Sequence, residues 1–327
     1  MKKTIILFFI ATLITLSCCK NKERKDLNYI HLNQIAKKMN ADLEHISIDM
    51  SGLTLILNHN ISFDKPVKWD ASYLKKNNTH YFIPYQDKSA AIYLPDHASL
   101  NDHIKKMIIN SEEMDSLFIK FIHDNIFVQQ IYFLDTNSFL RIYPYTDIYQ
   151  YLTQPIELKS LLPYQKVNQK PFIEDQSYWV ETPYADPYGR GWIISCIEPV
   201  YYHDEFIGIL SADIPVKNFL EKYFKDQTQI LILTDNKGNV ICTTQPGCKQ
   251  FNIPAYRDFS YYKPVTQNIL MYNSPPLAKH QNKGMREAIH KLLKGSFKEN
   301  FYVDSKKHTI YKAEIKETNW LLLKIIY

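Results

Sequence analysis

The stretch that most limits what this chain can fold into is 193–214, IISCIEPVYYHDEFIGILSADI, where three polar residues separate two apolar, β-branched runs. Ile193 to Tyr202 and Phe206 to Ile214 are rich in residues that pack on a pleated, half-buried surface. His203, Asp204 and Glu205 supply the turn, so the segment reads as a β-hairpin that needs a sheet to hold it. Just before it, WVETPYADPYGRGW at 179–192 concentrates aromatics, Pro and Gly. Pro and Gly interrupt regular elements, so this part is expected to be an ordered loop forming the wall of a pocket.

The rest of the chain reads as two units behind a helix. Leu27, Ile30, Ile35, Met39, Leu43 and Ile46 recur at three- to five-residue intervals, and Leu53 to Leu57 extends the pattern. This predicts a long amphipathic helix over 27–57 that runs along more than one packed unit. Residues 58–97 are polar and broken. Ser99 is a candidate cap for a helix whose apolar face is Ile104, Met107, Ile108, Met114, Leu117, Phe118, Phe121 and Ile122. Phe127–Leu134 and Phe139–Tyr145 read as a hairpin, 148–178 as irregular structure, and Val216–Phe224 as a short closing helix. A second unit spans 227–327: a hairpin over Thr228–Leu233 and Val240–Thr243, loops over 244–280 and a helix face at Met285, Ala288, Ile289, Leu292 and Leu293. Strands at Phe297–Val303, Thr309–Ile315 and Trp320–Ile326 complete it. The class is α+β, with antiparallel sheets carrying helices and loops.

The N-terminus bears on the compartment. Met1-Lys2-Lys3, the apolar run Thr4–Leu16 and the small-residue exit Ser17-Cys18-Cys19 form the three-part pattern of a secretory signal. The run is shorter than the roughly 20 apolar residues that span a bilayer. Leu16-Ser17-Cys18-Cys19 resembles a bacterial lipoprotein box. That resemblance implies removal of a signal peptide, 1–18, acylation of Cys19, with Cys18 as the alternative, and a charged tether over 19–26. Acyl chains add roughly 0.8 kcal/mol of membrane affinity per buried methylene. The expected location is extracytoplasmic, lipid-anchored to a bacterial membrane.

The formal net charge is +5, and removal of Lys2 and Lys3 leaves +3, with no Lys/Arg run beyond the first 25 residues. Nucleic acid is therefore not an expected partner. In ICTTQPGC, Cys242 and Cys248 flank a turn-like segment and are candidates for a disulfide in an oxidising compartment. Cys196 reads as a buried small hydrophobe. The eleven histidines show neither helical i, i+4 pairs nor zinc spacing. Sequences of the type GxSxG, HExxH, GxGxxG or Walker A are absent. No enzyme activity, metal or cofactor is expected.

Three segments, QQIYFLDTNSFLRIYPYTDI at 129–148, 179–214 and ILILTDNKGNVI with the closing TNWLLLKI, together resemble the double Cache family of extracytoplasmic sensor domains. The resemblance covers about 27–327. It implies a long N-terminal helix and two PAS-like lobes, 58–226 and 227–327, with a small ligand bound in the first. Carried over onto this sequence, Tyr184, Asp186 and Asp213 match positions that hold a ligand's ammonium. A buried cation needs carboxylates and hydroxyls around it, and aromatic faces add about 0.5–2 kcal/mol. Tyr143 and Arg141 of LRIYPY are further candidates. The carboxylate-gripping Arg-x-Trp-Tyr signature of amino-acid-binding members is reduced here to Tyr164 of Leu161-Leu162-Pro163-Tyr164, with Arg141 or Arg190 as substitutes. An amine or another small polar molecule thus fits better than a typical α-amino acid. The chain ends at Tyr327, so output through a separate membrane signalling or transport protein is expected. The alternative is a surface lipoprotein that makes protein–protein contacts without a small ligand.

Overall fold

A computed structural model describes residues 26–60, 62–70, 74–76, 80–82, 90–95, 98–147, 157–168, 177–187, 191–225, 227–253 and 276–327. The signal peptide, Cys18, Cys19, most of the tether and Arg190 lie outside the described residues.

The spine is helix α1, Leu27–Asn60, 34 residues and, at 1.5 Å per residue, about 51 Å long. Its buried side chains are Leu32, Ala36, Met39, Leu43, Ile46, Met50, Leu53 and Leu57. They alternate steps of four and three residues, a narrow seam that stays on one side over the whole length. That seam packs on two antiparallel sheets, one after the other along the helix. No described helix is long and apolar enough to cross a membrane.

The first sheet contains β1 (Lys75–Lys76), β2 (His80–Phe82), β3 (Ala91–Pro95), β4 (Gln130–Asp135), β5 (Leu140–Tyr143), β6 (Tyr178–Ala185), β7 (Trp192–Tyr202) and β8 (Glu205–Pro215). Its order is β1-β2-β3-β5-β4-β8-β7-β6. The helix-side face carries Ile131, Phe133, Ile194, Cys196, Leu210 and Ala212 against α1, α2 (Asp102–Asn110) and α3 (Glu113–Asp124). The outer face carries Tyr132, Leu140, Ile142, Tyr184, Ile193, Ile197 and Ile209 beneath helix α4 (Leu162–Asn168).

The second sheet has order β10-β9-β13-β12-β11, from β9 (Ile230–Thr234), β10 (Val240–Thr243), β11 (Lys298–Val303), β12 (Lys306–Ile315) and β13 (Trp320–Ile326). Helix α5 (Val216–Phe219) and a π turn at Leu220–Phe224 lead into it from the first. Its outer face, Ile230, Ile232, Ile310, Leu323 and Ile325, lies under Phe251 of α6 (Gln245–Phe251) and Met285, Ala288, Ile289 and Leu292 of α7 (Lys283–Leu293).

The two hairpins that organise the sheets turn through residues with positive φ: His203 and Asp204 between β7 and β8, Asp304 and Ser305 between β11 and β12. Paired positive φ values match the right-handed twist of the flanking strands. Gly208 of β8 lies against β4, and a Cβ there would sit 2.3 Å from the Leu134 carbonyl oxygen. This close approach explains the glycine in FIGIL.

The lobes meet along β6. The Trp320 indole donates to the Glu181 carbonyl at 2.9 Å, and the Trp179 indole donates to Ser47 Oγ at 3.1 Å and Glu317 Oε2 at 3.3 Å. Glu317 also accepts from Ser47 Oγ at 3.0 Å. One side chain from the helix, one from the first lobe and one from the second thus share a single polar contact.

Several expectations need correction. Residues 178–185 form strand β6 rather than a loop. It is an edge strand with a register shift between Val180 and Tyr184, the setting in which a sheet tolerates Pro183. The helix cap is Asn101, whose side chain accepts from the Ile104 amide at 2.9 Å, and not Ser99. Residues 245–251 form α6, with Pro at its first turn. Cys242 and Cys248 are both free thiols. Cys242 packs with Leu231 and Leu233 on the helix-side face, whereas α6, which carries Cys248, packs through Phe251 on the opposite face.

Candidate functional site

Strand register builds the site. Gln130 of β4 lies opposite Asp213 of β8, and Asp213 lies opposite Ser195 of β7. One polar row therefore crosses three adjacent strands. The alternation of the strands puts this row on the outer face with Tyr132 and Tyr184, because successive side chains point to opposite sides. Asp213 is 2% exposed. Ser195 Oγ donates to its Oδ1 at 2.6 Å, and Gln130 Nε2 donates to Oδ2. The Tyr184 hydroxyl is 2.6 Å from Ser195 Oγ. Because the single Ser195 proton is committed to the carboxylate, Tyr184 is the donor in that pair. Burial, reinforced by the Asp213 charge, pushes the Tyr184 hydroxyl well above its usual pKa.

Asp186 follows directly after β6 and is equally buried, its amide donating to the Gly191 carbonyl at 2.9 Å. A cavity sits over the row. Gln130, Tyr132, Tyr184 and Asp213 form its floor, and Leu161, Pro163 and Pro187 close it from above. Its volume is about 10 Å³, room for a single water molecule. The α4 segment supplies Pro163, and Leu161 just before it, to this cover. That segment rests on Tyr164, Val167 and Leu161 in the outer cluster, a ring contact of 6.3 Å between Tyr164 and Phe206, and a Lys166–Glu181 ion pair at 2.8 Å.

Of the six residues expected in the site, Asp213 and Tyr184 line the cavity, Tyr164 is buried in the cover, and Asp186 is buried near enough for its charge to act on Tyr184 but does not line the cavity. The structure does not bring Arg141 and Tyr143 to the outer face. In β5, Leu140 and Ile142 face the cavity side, so Arg141 and Tyr143 point to the helix side. Arg141 is 1% exposed and fully engaged. It pairs with Asp115 at 2.6 Å and donates to Ser111 Oγ at 2.9 Å and the Ile108 carbonyl at 2.8 Å. It joins α2 and α3 to the sheet and does not contact the cavity. Gln130 and Ser195 were missed. Their signal was polar residues beside or within apolar strand runs, QIYFL and WIISCI, where a side chain without a partner would be costly.

Among the described residues no group of His, Cys, Asp and Glu side chains is placed to hold a metal ion. Burial drives the Cys196 and Cys242 thiols far above their ordinary pKa, which leaves them unreactive.

No protein-family model matches the chain, and no curated protein matches it either. Solved structures do. The ligand-binding domain of the Campylobacter jejuni chemoreceptor Tlp3 in complex with L-valine is 12% identical, with 92% of this chain and 93% of that one covered and a TM-score of 0.53. The extracellular domain of mmHK1S-Z2, assigned as a histidine kinase, is 11% identical over 92% and 96% of the two chains, with a TM-score of 0.54. The Tlp3 sensory domain with isoleucine bound gives 11% identity, coverage of 92% and 93%, and a TM-score of 0.52. At this identity the likeness speaks for architecture. The chain has the double Cache fold, a long helix with two PAS-like antiparallel-sheet lobes.

Proposed function

We propose that this protein is an extracytoplasmic sensory or solute-binding module that takes a small cationic molecule, an amine or an amino-acid-like compound, in its first lobe. The observation that carries the reading is the Asp213 carboxylate at the floor of the first-lobe cavity, prearranged by Gln130 and Ser195 with the Tyr184 hydroxyl beside it. A fixed carboxylate in a dry site favours an ammonium over a neutral group by several kcal/mol. Structures with the same fold hold L-valine and isoleucine, which supports a ligand of that size. In this reading acylation of Cys19, or of Cys18, holds the module at a bacterial membrane, as the resemblance of Leu16-Ser17-Cys18-Cys19 to a lipoprotein box suggests, and occupancy is passed to a separate membrane protein.

The test is a thermal-shift screen of the full chain against amines, amino acids and small carboxylates. A ligand at about 100 times its Kd adds about 2.7 kcal/mol of stability, a shift that such a screen resolves. A hit among the amines or amino acids that is lost in Asp213→Ala supports the site. A hit of equal size in Asp213→Ala removes it, and silence across the whole library favours a protein–protein module. Anchoring is tested separately: a chain lacking 1–19 is expected in the soluble fraction.

A further inference from the structure

At the far end of the second sheet, where β9 begins and β13 ends, there is a second cavity of about 200 Å³. Asn28 of α1, Thr228, Gln229, Gln250 of α6, Lys324 and Tyr327 supply its polar lining. Lys324 is unusual. It stands in the apolar strand WLLLKII at a position that faces α1, between Leu231 and Tyr311 in the strand register, and it is 2% exposed. Among the described residues its ammonium has neither a hydrogen bond nor an ion pair. Asp26 is the acidic group whose charge reaches it, and Asp26 is already held by Lys298 at 2.7 Å and the Tyr311 hydroxyl at 2.8 Å. Burial also lowers the pKa of the Lys324 ammonium.

A buried lysine without a partner is costly to keep as a charge. A methionine or leucine would fill the same strand position without that cost. The setting supplies what the lysine lacks: a cavity of ligand size, ringed by amides and a hydroxyl that donate hydrogen bonds. We propose that this cavity is an oxyanion site, with Lys324 as its counter-charge and Asn28, Thr228 and Gln250 as neutral donors to a phosphate group. The phosphate is either free or carried on a lipid headgroup. The site is independent of the first-lobe cavity and stands whether or not Asp213 holds a ligand.

The test uses the full chain and compares wild type, Lys324→Met and Gln250→Glu. The glutamate variant changes an exposed side chain and leaves the core intact. Inorganic phosphate is compared with chloride at matched ionic strength. The expected result is a phosphate-specific rise in wild-type Tm that both variants lose, together with a higher Tm of Lys324→Met than wild type in phosphate-free buffer. A second arm measures Tm of the chain reconstituted in phosphatidylcholine vesicles with and without phosphatidylglycerol, so that the N-terminal anchor is the same throughout. A rise dependent on phosphatidylglycerol and on Lys324, with no response to free phosphate, assigns the lipid source. A phosphate or phosphatidylglycerol effect equal in all three proteins, or none in either arm, overturns the proposal. Should Lys324→Met not fold, Gln250→Glu alone decides.

Discussion

The two sheets lie on the same helix, share an antiparallel plan and each bury an apolar cluster on the outer face, but the first also sets a polar row into that cluster. The first lobe places Gln130, Ser195, Asp213 and the Tyr184 hydroxyl beneath α4, a helix of 7 residues. The second places Ile230, Ile232, Ile310, Leu323 and Ile325 beneath α7, which has 11 residues and buries Met285, Ala288, Ile289 and Leu292. An apolar face under an amphipathic helix is a sealed core. In the first lobe the polar row lies within the apolar cluster, and Leu158, Leu161, Tyr164 and Val167 seat the short cover on it. The difference between the two lobes thus resides in the polar groups set into one face of one sheet.

The contrast can be broken most forcefully at the joint. Trp320 is fully buried, contacts Phe219 edge to face and is bonded to Glu181. Trp320→Ala is expected to cost about 3–5 kcal/mol. If urea unfolding then separates into two transitions, the lobes are distinct units coupled through this residue.

Arg141→Met tests whether the two faces of the first sheet are independent. Leaving Asp115, Ser111 and the Ile108 carbonyl without their donor is expected to cost about 3 kcal/mol by denaturant titration. The ligand-induced thermal shift should persist, because Arg141 stands on the helix side. Loss of that shift would return the residue to the site.

Asp213→Asn keeps the shape of the floor and removes its charge. Affinity for the amine hit should fall tenfold or more by calorimetry, in line with about 1.5–3 kcal/mol for a hydrogen bond to a charged group. Unchanged affinity would mean that the row is structural.

The smallest effect belongs to the second lobe. Burial, and then the charge of Lys306, holds the His308 imidazole below its usual value of 6.5. The unfolded chain therefore takes up this proton at a pH where the folded one does not. Stability should fall as pH drops from about 6.5 toward the lowered folded value, and should level off below it. His308→Phe, among Phe251, Phe301 and Tyr327, should flatten that slope in urea titrations between pH 7.5 and 5.

Much of this was legible in the chain itself. Apolar, β-branched runs marked β4, β7, β8, β12 and β13, and apolar residues at three- to five-residue intervals marked α1, because burial leaves a direct trace in the order of residues. Asp213 was singled out through the family resemblance, as a position matching one that holds a ligand's ammonium. What stayed hidden depended on register. LRIY shows that Arg141 and Leu140 face opposite ways, but which way is toward the cavity is set by pairing with β4 and β3, residues far away in the sequence. TTQPGC reads as a turn because Pro246 is a breaker inside an element, whereas in the first turn of a helix its missing amide costs nothing.

One joint described above has a mechanical meaning. The β6 residues between Val180 and Tyr184 have left the β7 register, so the Glu181 carbonyl is available to the Trp320 indole while the Glu181 carboxylate grips Lys166. A single residue is thereby held at both ends, to the cover of the first-lobe cavity on one side and to the opposite lobe on the other. One edge-strand residue thus ties the cover helix and the second lobe to the same point of the first sheet.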